Sequence, residues 1–401
     1  MTTTLERTAP TARGPAAWQV GLAGTAAIGV TFGFARYSYG LYAPQLRADF
    51  DLSVGLVGLI GSATYVGYLL SLLVVGIFSQ RLGPRTLVVL GGASAAVGMA
   101  AVALADGPLL LVAGLVLAGT SPGWAWAPYS DAVDRLVPVG KRERVLGLIP
   151  SGTAFGVVLA GPAGLFLSGS AWRIAWLSFA AITVVVTVYN AVILPGRAMP
   201  RSGGENLARV GISWFARAVA VPHYLTAFAY GLIGAVYWTF AVEAISTNAD
   251  RTTAPLFWTL MGAAGTLGAL AGVAIARFGL RTVHMGLFAA MGVAIALLGV
   301  APDSTPAVVA SAVLYGPAFM AGSSLLQVWS YQLFPERPTT GFTATVAFVG
   351  IGTILGPALA GVVAAEWGLG HTFGIAAGLA VAVLAAAPAA RGRSPLLCRV
   401  E

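Results

Sequence analysis

The sequence predicts an all-α integral membrane protein in which twelve transmembrane helices form two pseudo-symmetric six-helix bundles. Three observations predict this fold: a composition poor in charge, long apolar runs along the whole chain, and a charged motif that occurs once in each half. Of the 401 residues, 58% are hydrophobic and 9% are charged, whereas a soluble domain carries about 25% charged residues. The chain has too little charge to cover a water-exposed surface, so most of its surface must face lipid.

Twelve apolar runs are long enough to cross a bilayer, which takes about 20 residues in a helix. The runs lack the alternation of a barrel strand, and only helices or closed barrels satisfy the backbone within lipid. The predicted spans are 18–43, 54–78, 86–105, 109–131, 145–168, 174–195, 219–242, 255–276, 281–301, 307–331, 342–365 and 372–389.

The distribution of Lys and Arg predicts the orientation, because cytoplasmic loops carry an excess of these residues. With the N-terminus in the cytoplasm, 18 of the 22 basic residues fall in inner segments and 3 in outer segments, while Arg36 lies inside span 1. This predicts a multi-pass protein of the cell inner (plasma) membrane with both termini cytoplasmic. The predicted parts are a cytoplasmic N-terminal tail (1–17), an N-terminal bundle (18–195), a cytoplasmic linker (196–218), a C-terminal bundle (219–389) and a cytoplasmic C-terminal tail (390–401).

The remaining composition argues against several other classes of protein. The formal net charge of +8 could suggest a nucleic-acid partner, but the basic residues stand singly or in small groups between apolar runs. Cys398 is the one cysteine and the three histidines are scattered, so we expect no disulfide, metal site or cofactor. With neither clustered catalytic residues nor a P-loop, we expect no enzyme and no ATP-driven pump, but a monomer that handles a small molecule.

A basic, glycine-containing segment occurs twice in the chain. GIFSQRLGPRT (76–86) after span 2 returns as GVAIARFGLRT (272–282) after span 8, an offset of 196 residues. The shared positions are Gly76/Gly272, Arg81/Arg277, Gly83/Gly279, Arg85/Arg281 and Thr86/Thr282. Gly161-Pro162 in span 5 and Gly356-Pro357 in span 11 recur at nearly the same offset. The halves are therefore predicted to be parallel repeats, an arrangement in which transporters bind substrate near the midplane between the repeats.

Over roughly 18–389 the chain resembles the major facilitator superfamily. The pattern Gly76-x-x-x-x-Arg81-x-Gly83-x-Arg85 is similar to the family's signature between spans 2 and 3, and GFARYSYGLYAPQL (33–46) resembles the first span of poorly characterised bacterial permeases. The resemblance implies secondary active transport by alternating access, with a cavity lined by spans 1, 4, 7 and 10. Where the family has an Asp before the first Arg, this chain has Gln80, so the latch implied by the resemblance lacks its charge.

The arginines of the repeated motif have two interpretations. Arg81, Arg85, Arg277 and Arg281 either set only the topology or, with the motif glycines, form an inner gate in which Arg85 pairs with Asp131 or Asp134. An exposed ion pair contributes about 0–1 kcal/mol. A contact of this strength suits a gate, because two states that interconvert must lie within a few kcal/mol of each other.

Small residues predict where helices pack closely. The pairs Gly152/Gly156 in span 5 and Gly352/Gly356 in span 11 each leave a bare helix stripe, and close backbone approach drives helix association in lipid. Pro162 and Pro357 are each expected to bend their helix. The segment 161–164 partly resembles the family's antiporter signature, which implies export; generic helix packing is the alternative.

Polar and aromatic residues within the cavity-lining spans are the candidate substrate contacts. They are Arg36, Tyr37 and Tyr39 in span 1, Trp124 and Trp126 in span 4, Tyr230, Tyr237 and Trp238 in span 7, and Tyr315 and Gln327 in span 10. A charge such as that of Arg36 costs about 2.5–3.5 kcal/mol at the centre of a membrane helix. An anionic or carbonyl-bearing substrate would offset that cost; snorkelling to the interface and a pair with Glu243 are the alternatives.

The sequence leaves two possibilities for the driving force of transport, proton coupling and uniport. Proton-coupled members of the family usually carry a carboxylate within the membrane, and Glu243, near the outer end of span 7, is the candidate; uniport is the alternative. We therefore expect a secondary transporter of a small organic solute. Two alternatives are left open: a non-transporting sensor on the same fold, and an efflux antiporter in place of an uptake permease.

Overall fold

The computed structural model describes residues 15–167, 169–196, 212–246 and 252–388. Within these ranges the chain folds into helices and turns without a β-strand. The predicted C-terminal tail, most of the predicted N-terminal tail and residues 197–211 of the predicted linker lie outside the described residues.

Eleven helical stretches among the described residues are long and apolar enough to cross a membrane. They are Ala17–Asp49, Val54–Ser79, Arg81–Ala103, Pro108–Leu136, Val139–Phe166, Trp172–Ile193, Ala218–Ile245, Thr253–Phe278, Leu280–Val300, Thr305–Leu333 and Thr340–Ala386. The last stretch holds 47 residues and breaks at Gly368, where φ is 80° and ψ is 166°. It therefore contains spans 11 and 12, and the predicted twelve-helix fold is confirmed.

Span 1 differs from the prediction in length and in helix type. It continues to Asp49, so Arg47, expected in an outer loop, lies in its last helical turn. Its centre, Gly29–Tyr37, is π-helical over 9 residues. Such wide turns occur frequently at functional sites because they change the direction of the side chains that follow, and Arg36 lies within this one.

Four glycines make the turns that the repeat requires. Gly83 and Gly279 have φ values of 72° and 82°, and Gly169 and Gly368 have φ values of 63° and 80°. L side chains rarely adopt this conformation, whereas glycine does so without strain. The repeated motif therefore contains a glycine that reverses the chain between spans 2 and 3 and again between spans 8 and 9.

The packing within each half repeats as well. In the first half Gly29 and Gly33 of span 1 contact Gly152 and Gly156 of span 5, so closely that an added Cβ at Gly33 would lie 2.5 Å from the Cα of Gly156. In the second half spans 7 and 11 meet in the same way: Gly231 faces the backbone of Val349, Gly352 that of Phe228, and Gly356 that of Leu232. Spans 1 and 7 thus occupy equivalent places in two copies of one bundle.

Among the described residues the two halves touch mainly along three pairs of spans. We call the end of the bundle with the turns at Gly83 and Gly279 the arginine-rich end, and the end with the turns at Gly169 and Gly368 the opposite end. Span 2 packs on span 11, where the hydroxyl of Ser62 donates to the carbonyl of Ile354 at 2.6 Å. Span 5 packs on span 8 through Gly161 and Thr259, and span 1 on span 7 through Gly40 and the carbonyl of Trp238.

These contacts between the halves are not spread evenly along the bundle. Within the described ranges they run from the middle, where Leu69 packs on Gly350, to the opposite end, where Arg47 pairs with Glu243. Towards the arginine-rich end, added Cβ atoms at Gly76 and Gly272 would meet no heavy atom within 4 Å. The contacts that the described residues make between the halves therefore lie in the middle of the bundle and towards the opposite end.

Replacing Gly279 with Ala tests the role of the motif glycine. Because an L side chain is strained at φ 82° and ψ 156°, we expect a loss of about 1–3 kcal/mol in the free energy of unfolding. The thermal unfolding temperature of the purified protein in detergent should fall accordingly. Gly286→Ala in the same span is the control: its added Cβ also meets open space, its φ is ordinary, and Ala favours a helix. Equal losses of stability in both variants would show that the positive φ of residue 279 does not require a glycine.

Candidate functional site

Arg36 is buried at the centre of the helix bundle. The residue is 9% exposed, and its guanidinium carbon lies 4.1 Å from the ring centroid of Tyr68 and 4.3 Å from that of Tyr65. Both tyrosines lie at the middle of span 2, which runs from Val54 to Ser79. The side chain therefore points into the bundle at mid-membrane depth and does not follow the snorkelling alternative.

Six rings surround or adjoin this guanidinium, and we call them the aromatic cluster: Phe32, Tyr37, Tyr65, Tyr68, Trp126 and Trp238. Phe32 links three of the spans, because its centroid lies 6.2 Å from that of Tyr68 and 5.7 Å from that of Trp126. Tyr37 stacks on Trp238 of the other half at 4.0 Å. The cluster therefore joins spans 1, 2, 4 and 7 around one positive charge.

The guanidinium has hydrogen-bond donors to spare. Its Nε and Nη1 atoms are buried and have no partner among the described residues. Cation–π contacts with Tyr65 and Tyr68 offset part of the cost of burial, about 2 kcal/mol or more where water is excluded. Nε and Nη1 nevertheless have no partner among the described residues, and an unmet buried donor is itself costly. The guanidinium thus keeps N–H groups that an added hydrogen-bond acceptor would satisfy.

A small cavity adjoins Arg36 on the side of the opposite end. Its volume is about 10 Å³, roughly that of one water molecule. Its lining is made by Arg36, Tyr37, Tyr39, Gly40, Gly61, Thr64, Tyr65, Trp238 and Thr239. Residues of both halves line it, so the guanidinium lies where the halves meet.

Several predicted substrate contacts have structural partners instead. Tyr237 and Tyr315 are fully buried, stack on each other at 3.6 Å, and the hydroxyl of Tyr237 hydrogen-bonds Ser311 at 2.6 Å. The hydroxyl of Tyr39 donates to the carbonyl of Val57 at 2.7 Å. Tyr237 and Tyr315 therefore hold helices together, whereas Tyr39 both joins spans 1 and 2 and lines the cavity beside Arg36.

Among the other predicted contacts, Trp126 belongs to the aromatic cluster, whereas Trp124, Tyr230 and Gln327 have other partners. Trp126 packs against Phe32, whereas Trp124, two residues earlier, faces Gly91 of span 3 and donates to the hydroxyl of Thr120 at 3.3 Å. The hydroxyl of Tyr230 donates to the carbonyl of Phe319 at 2.7 Å. Gln327 is exposed and donates to Tyr331 at 3.1 Å. Trp126 thus lies with Arg36, and Trp124 does not.

Glu243 joins the two halves through Arg47, not through Arg36. Its Oε1 accepts from Nη1 of Arg47, and the side chain of Glu243 is 8% exposed. The alternative in which Glu243 neutralises Arg36 is therefore wrong for this conformation. Arg47 reaches Glu243 because the helix of span 1 continues past the predicted boundary at residue 43, up to Asp49.

The expected gate contact of Arg85 is absent from this conformation. Asp131 pairs with Arg135, one helical turn further on, at 2.8 Å, and Asp134 pairs with Arg142 at 3.7 Å. Each aspartate therefore already has a partner within eight residues in the sequence. Arg85 is exposed, so its pairing with Asp131 or Asp134 stays a prediction for another conformation.

The two tyrosines of span 2 were not among the candidates from the sequence. The resemblance placed the cavity between spans 1, 4, 7 and 10, and apolar-run analysis treats Tyr65 and Tyr68 as part of a span. Their spacing of three residues puts both rings on one helix face. That spacing is the signal in the sequence, but only the packing shows that this face meets Arg36.

The chain matches a family of transporters over most of its length and individual transporters over part of it. The model of a family described as "Uncharacterised MFS-type transporter YbfB" matches residues 28–389. Human monocarboxylate transporter 11 is 32% identical over 246 residues, which are 58% of this chain and 50% of that protein. A hexuronate transporter of Bacillus subtilis is 28% identical over 155 residues, 38% of this chain and 36% of that protein. The matched parts thus span half or less of these relatives.

Two solved structures share the fold. A bacterial homologue of the human lysosomal transporter Spinster, in an inward-facing and unoccupied conformation, has a TM-score of 0.75 at 16% identity, covering 93% of this chain and 96% of that chain. A mutant of the nucleoside transporter NupG has a TM-score of 0.74 at 13% identity, covering 92% of this chain and 98% of that chain. At these identities the likeness shows the fold alone.

Replacing Gly58 with Ala should weaken the closure at the opposite end. A Cβ there would overlap the carbonyl oxygen of Pro357 in the other half, so spans 2 and 11 must move apart. We expect faster labelling of a buried reporter by a membrane-impermeant maleimide added from that side. The reporter is Thr239→Cys, at a position 3% exposed next to Arg36, in a Cys398→Ser background.

The matched control for this experiment is Gly374→Ala in span 12. An added Cβ at that position meets no heavy atom within 4 Å, so the labelling rate should equal that of the parent protein. If Gly58→Ala labels no faster than Gly374→Ala, the contact between spans 2 and 11 does not hold the opposite end closed.

Proposed function

The chain belongs to the MFS-type transporter family related to YbfB, and from this premise we propose that it moves a small organic anion across the membrane by alternating access. The observation that carries the proposal is the guanidinium of Arg36, buried between the halves with two nitrogens unpartnered among the described residues. A carboxylate can accept two parallel hydrogen bonds from one guanidinium. The anion would supply both the missing charge and the missing acceptors.

The position of Arg36 suits a substrate that must be reached from either side. The residue lies near mid-membrane, in the span that also contacts the other half through Tyr37 and Trp238 at 4.0 Å. Binding at a repeat interface near the midplane lets two rigid halves rock around the ligand. An anion at Arg36 would therefore stay bound at the centre while one end of the bundle closes and the other end opens.

The names of the relatives support an anionic substrate. Monocarboxylate and hexuronate, in the names of two matched proteins, denote carboxylates. A chloroplastic ascorbate transporter of Arabidopsis thaliana is also matched, at 31% identity over 153 residues, 34% of this chain and 28% of that protein. These names belong to those proteins; for this chain they favour the class of small organic acids over sugars, cations or lipids.

We assign the arginine-rich end to the cytoplasm, following the excess of basic residues in its loops. On this assignment both termini are cytoplasmic, the membrane is the bacterial inner membrane, and the contacts between the halves lie towards the outer side, which favours an inward-facing conformation. Rocking of the halves would then close the arginine-rich end and open the opposite end. In that state Arg85 would be drawn to Asp131 or Asp134 and contribute to the inner gate.

Glu243 is the proposed site of proton coupling. One charged neighbour is Arg47 of span 1, and Tyr39 of the same span lies close to Glu243. Protonation of the carboxylate would remove its attraction for Arg47 and favour separation of the halves at the opposite end. Proton binding and outward opening would then be linked through one contact between the halves.

Export is a weaker second candidate. Gly161, part of the partial antiporter pattern, faces Thr259 across the contact between spans 5 and 8, and this packing accounts for it without any reference to direction. A protein that binds the anion and moves none in sealed vesicles would be a membrane sensor, the other alternative from the sequence.

Arg36→Ala should reduce uptake of radiolabelled carboxylates by at least about tenfold in proteoliposomes. The loss follows from charged hydrogen bonds worth about 1.5–3 kcal/mol each. Arg36→Lys should restore part of the uptake, because an ammonium keeps the charge and the cation–π contacts but not the planar fork. Uptake is measured against protein-free vesicles, and normal insertion is checked by protease protection.

Arg173→Ala is the control for the loss of an arginine. Nη1 of Arg173 already donates to the carbonyls of Ala103 and Ala105, at 3.0 and 2.7 Å. Its removal should lower the unfolding temperature and leave uptake per folded protein unchanged. Unaltered uptake in Arg36→Ala would rule out an anion site at this residue.

Glu243→Gln should abolish the pH dependence of uptake. The amide resembles the protonated carboxyl and cannot lose a proton, so the rate measured at two external pH values should become the same. Glu366→Gln, at an exposed position on span 11, should keep the pH response of the parent protein. A Glu243→Gln variant with a full pH response would place the coupling site elsewhere or favour uniport.

A further inference from the structure

The surroundings of Arg36 are aromatic in the direction from which a ligand enters. Span 1 begins at the arginine-rich end, so Phe32 lies on that side of Arg36, and Tyr68 lies beside it in span 2. Trp126 lies past the middle of span 4, nearer the arginine-rich end, and is 39% exposed. A ligand that approaches Arg36 from the open end therefore meets the faces and edges of rings.

Polar side chains near Arg36 are engaged with the backbone. The hydroxyl of Thr64 donates to the carbonyl of Gly61 at 2.6 Å, and that of Thr31 to the carbonyl of Ala27 at 2.7 Å. The hydroxyl of Ser71 donates to the carbonyls of Tyr68 and Thr120. Apart from the guanidinium, the aromatic cluster offers three tyrosine hydroxyls and the indole N–H groups of its two tryptophans, without a carboxylate or an amide side chain.

From this arrangement we propose that the anion is a monocarboxylate with a flat aromatic body, rather than a polyhydroxylated sugar acid. The proposal rests on the proposed function and specifies its substrate class. The carboxylate binds the N–H groups of Arg36, and the ring of the ligand packs among Phe32, Tyr68 and Trp126. Aromatic pairs gain free energy beyond the area that they bury, so a planar ring is favoured over a saturated ring of the same size.

Discrimination against a sugar acid follows from its hydroxyl groups. Each hydroxyl that leaves water for this site must find a donor and an acceptor, and a group left unmatched is penalised. The three tyrosine hydroxyls are the side-chain acceptors of the aromatic cluster, fewer than the four or more hydroxyls of a hexuronate require. Glucuronate should therefore bind at least about tenfold more weakly than benzoate, although both carry one carboxylate.

Equilibrium binding tests this proposal without interference from passive permeation of benzoic acid. Radiolabelled benzoate is bound to the full-length protein in detergent and displaced by unlabelled compounds. Benzoate should displace better than cyclohexanecarboxylate, and at least about tenfold better than glucuronate or the uncharged benzamide. Displacement by glucuronate as strong as that by benzoate would overturn the proposal, and so would an equal response to cyclohexanecarboxylate.

Two tryptophans two residues apart provide a matched pair of variants. Trp126→Leu removes a ring of the aromatic cluster and should weaken benzoate binding at least about fivefold, with little effect on binding of acetate. Trp124→Leu removes a ring whose N–H donates to Thr120 of the same helix and which lies outside the aromatic cluster, so it should leave the benzoate affinity unchanged. Thermal unfolding confirms that both variants are folded, and equal effects of the two substitutions would overturn the role of Trp126.

The failure of this inference is distinguishable from failure of the proposed function. If glucuronate and benzoate bind equally and both depend on Arg36, the anion site stands and the aromatic preference falls. If no carboxylate binds and Arg36→Ala changes nothing, both fall. Strong binding of benzamide would show that the rings alone recognise the ligand, and it would overturn the pairing of carboxylate and guanidinium.

Discussion

The guanidinium of Arg36 is a buried charge for which the described part of the chain supplies no carboxylate. Such a charge is tolerated in a membrane protein only when its surroundings or a ligand offset the cost. Tyr65 and Tyr68 offset part of it through their ring faces, at 4.3 and 4.1 Å. The rest of the architecture can be understood around this constraint: a π-helical segment that aims Arg36 inward, and two halves that meet where it lies.

Glycines make the close approach of the halves compatible with movement. At Gly40, Gly58 and Gly161 a Cβ would overlap atoms of the other half, so backbone meets backbone along smooth surfaces. Lipid provides no hydrophobic drive between helices, so such contacts depend on close packing. Small, shape-matched contacts of this kind can be broken and remade at modest cost. The same residue type also makes the turns at Gly83 and Gly279, where its conformational freedom rather than its size is used.

The sequence predicted the fold better than the site, for physical reasons that particular residues illustrate. Apolar length and the repeat of Gly83 at Gly279 are local signals, so the span count and the duplication could be derived. The extension of span 1 to Asp49 could not, because it carries polar residues whose partners, such as Glu243 for Arg47, are distant in sequence. Arg36 stood out by its charge alone. Tyr65 and Tyr68 did not, because an aromatic residue in a span becomes a site residue only through the face that its helix turns inward.

Span 1 links the occupancy of the site to the state of the opposite end. Arg36 belongs to the same helical segment as Tyr37, whose ring stacks on Trp238 of span 7. Gly40 lies against the backbone of Trp238, and Arg47 pairs with Glu243 further along both helices. A ligand that shifts Arg36 must shift Tyr37 with it, since the two share one stretch of backbone. Any rotation of span 1 would therefore act at once on the stack, the backbone contact and the ion pair. The proposed anion at Arg36 and the proposed proton at Glu243 would then both act on the contact between spans 1 and 7.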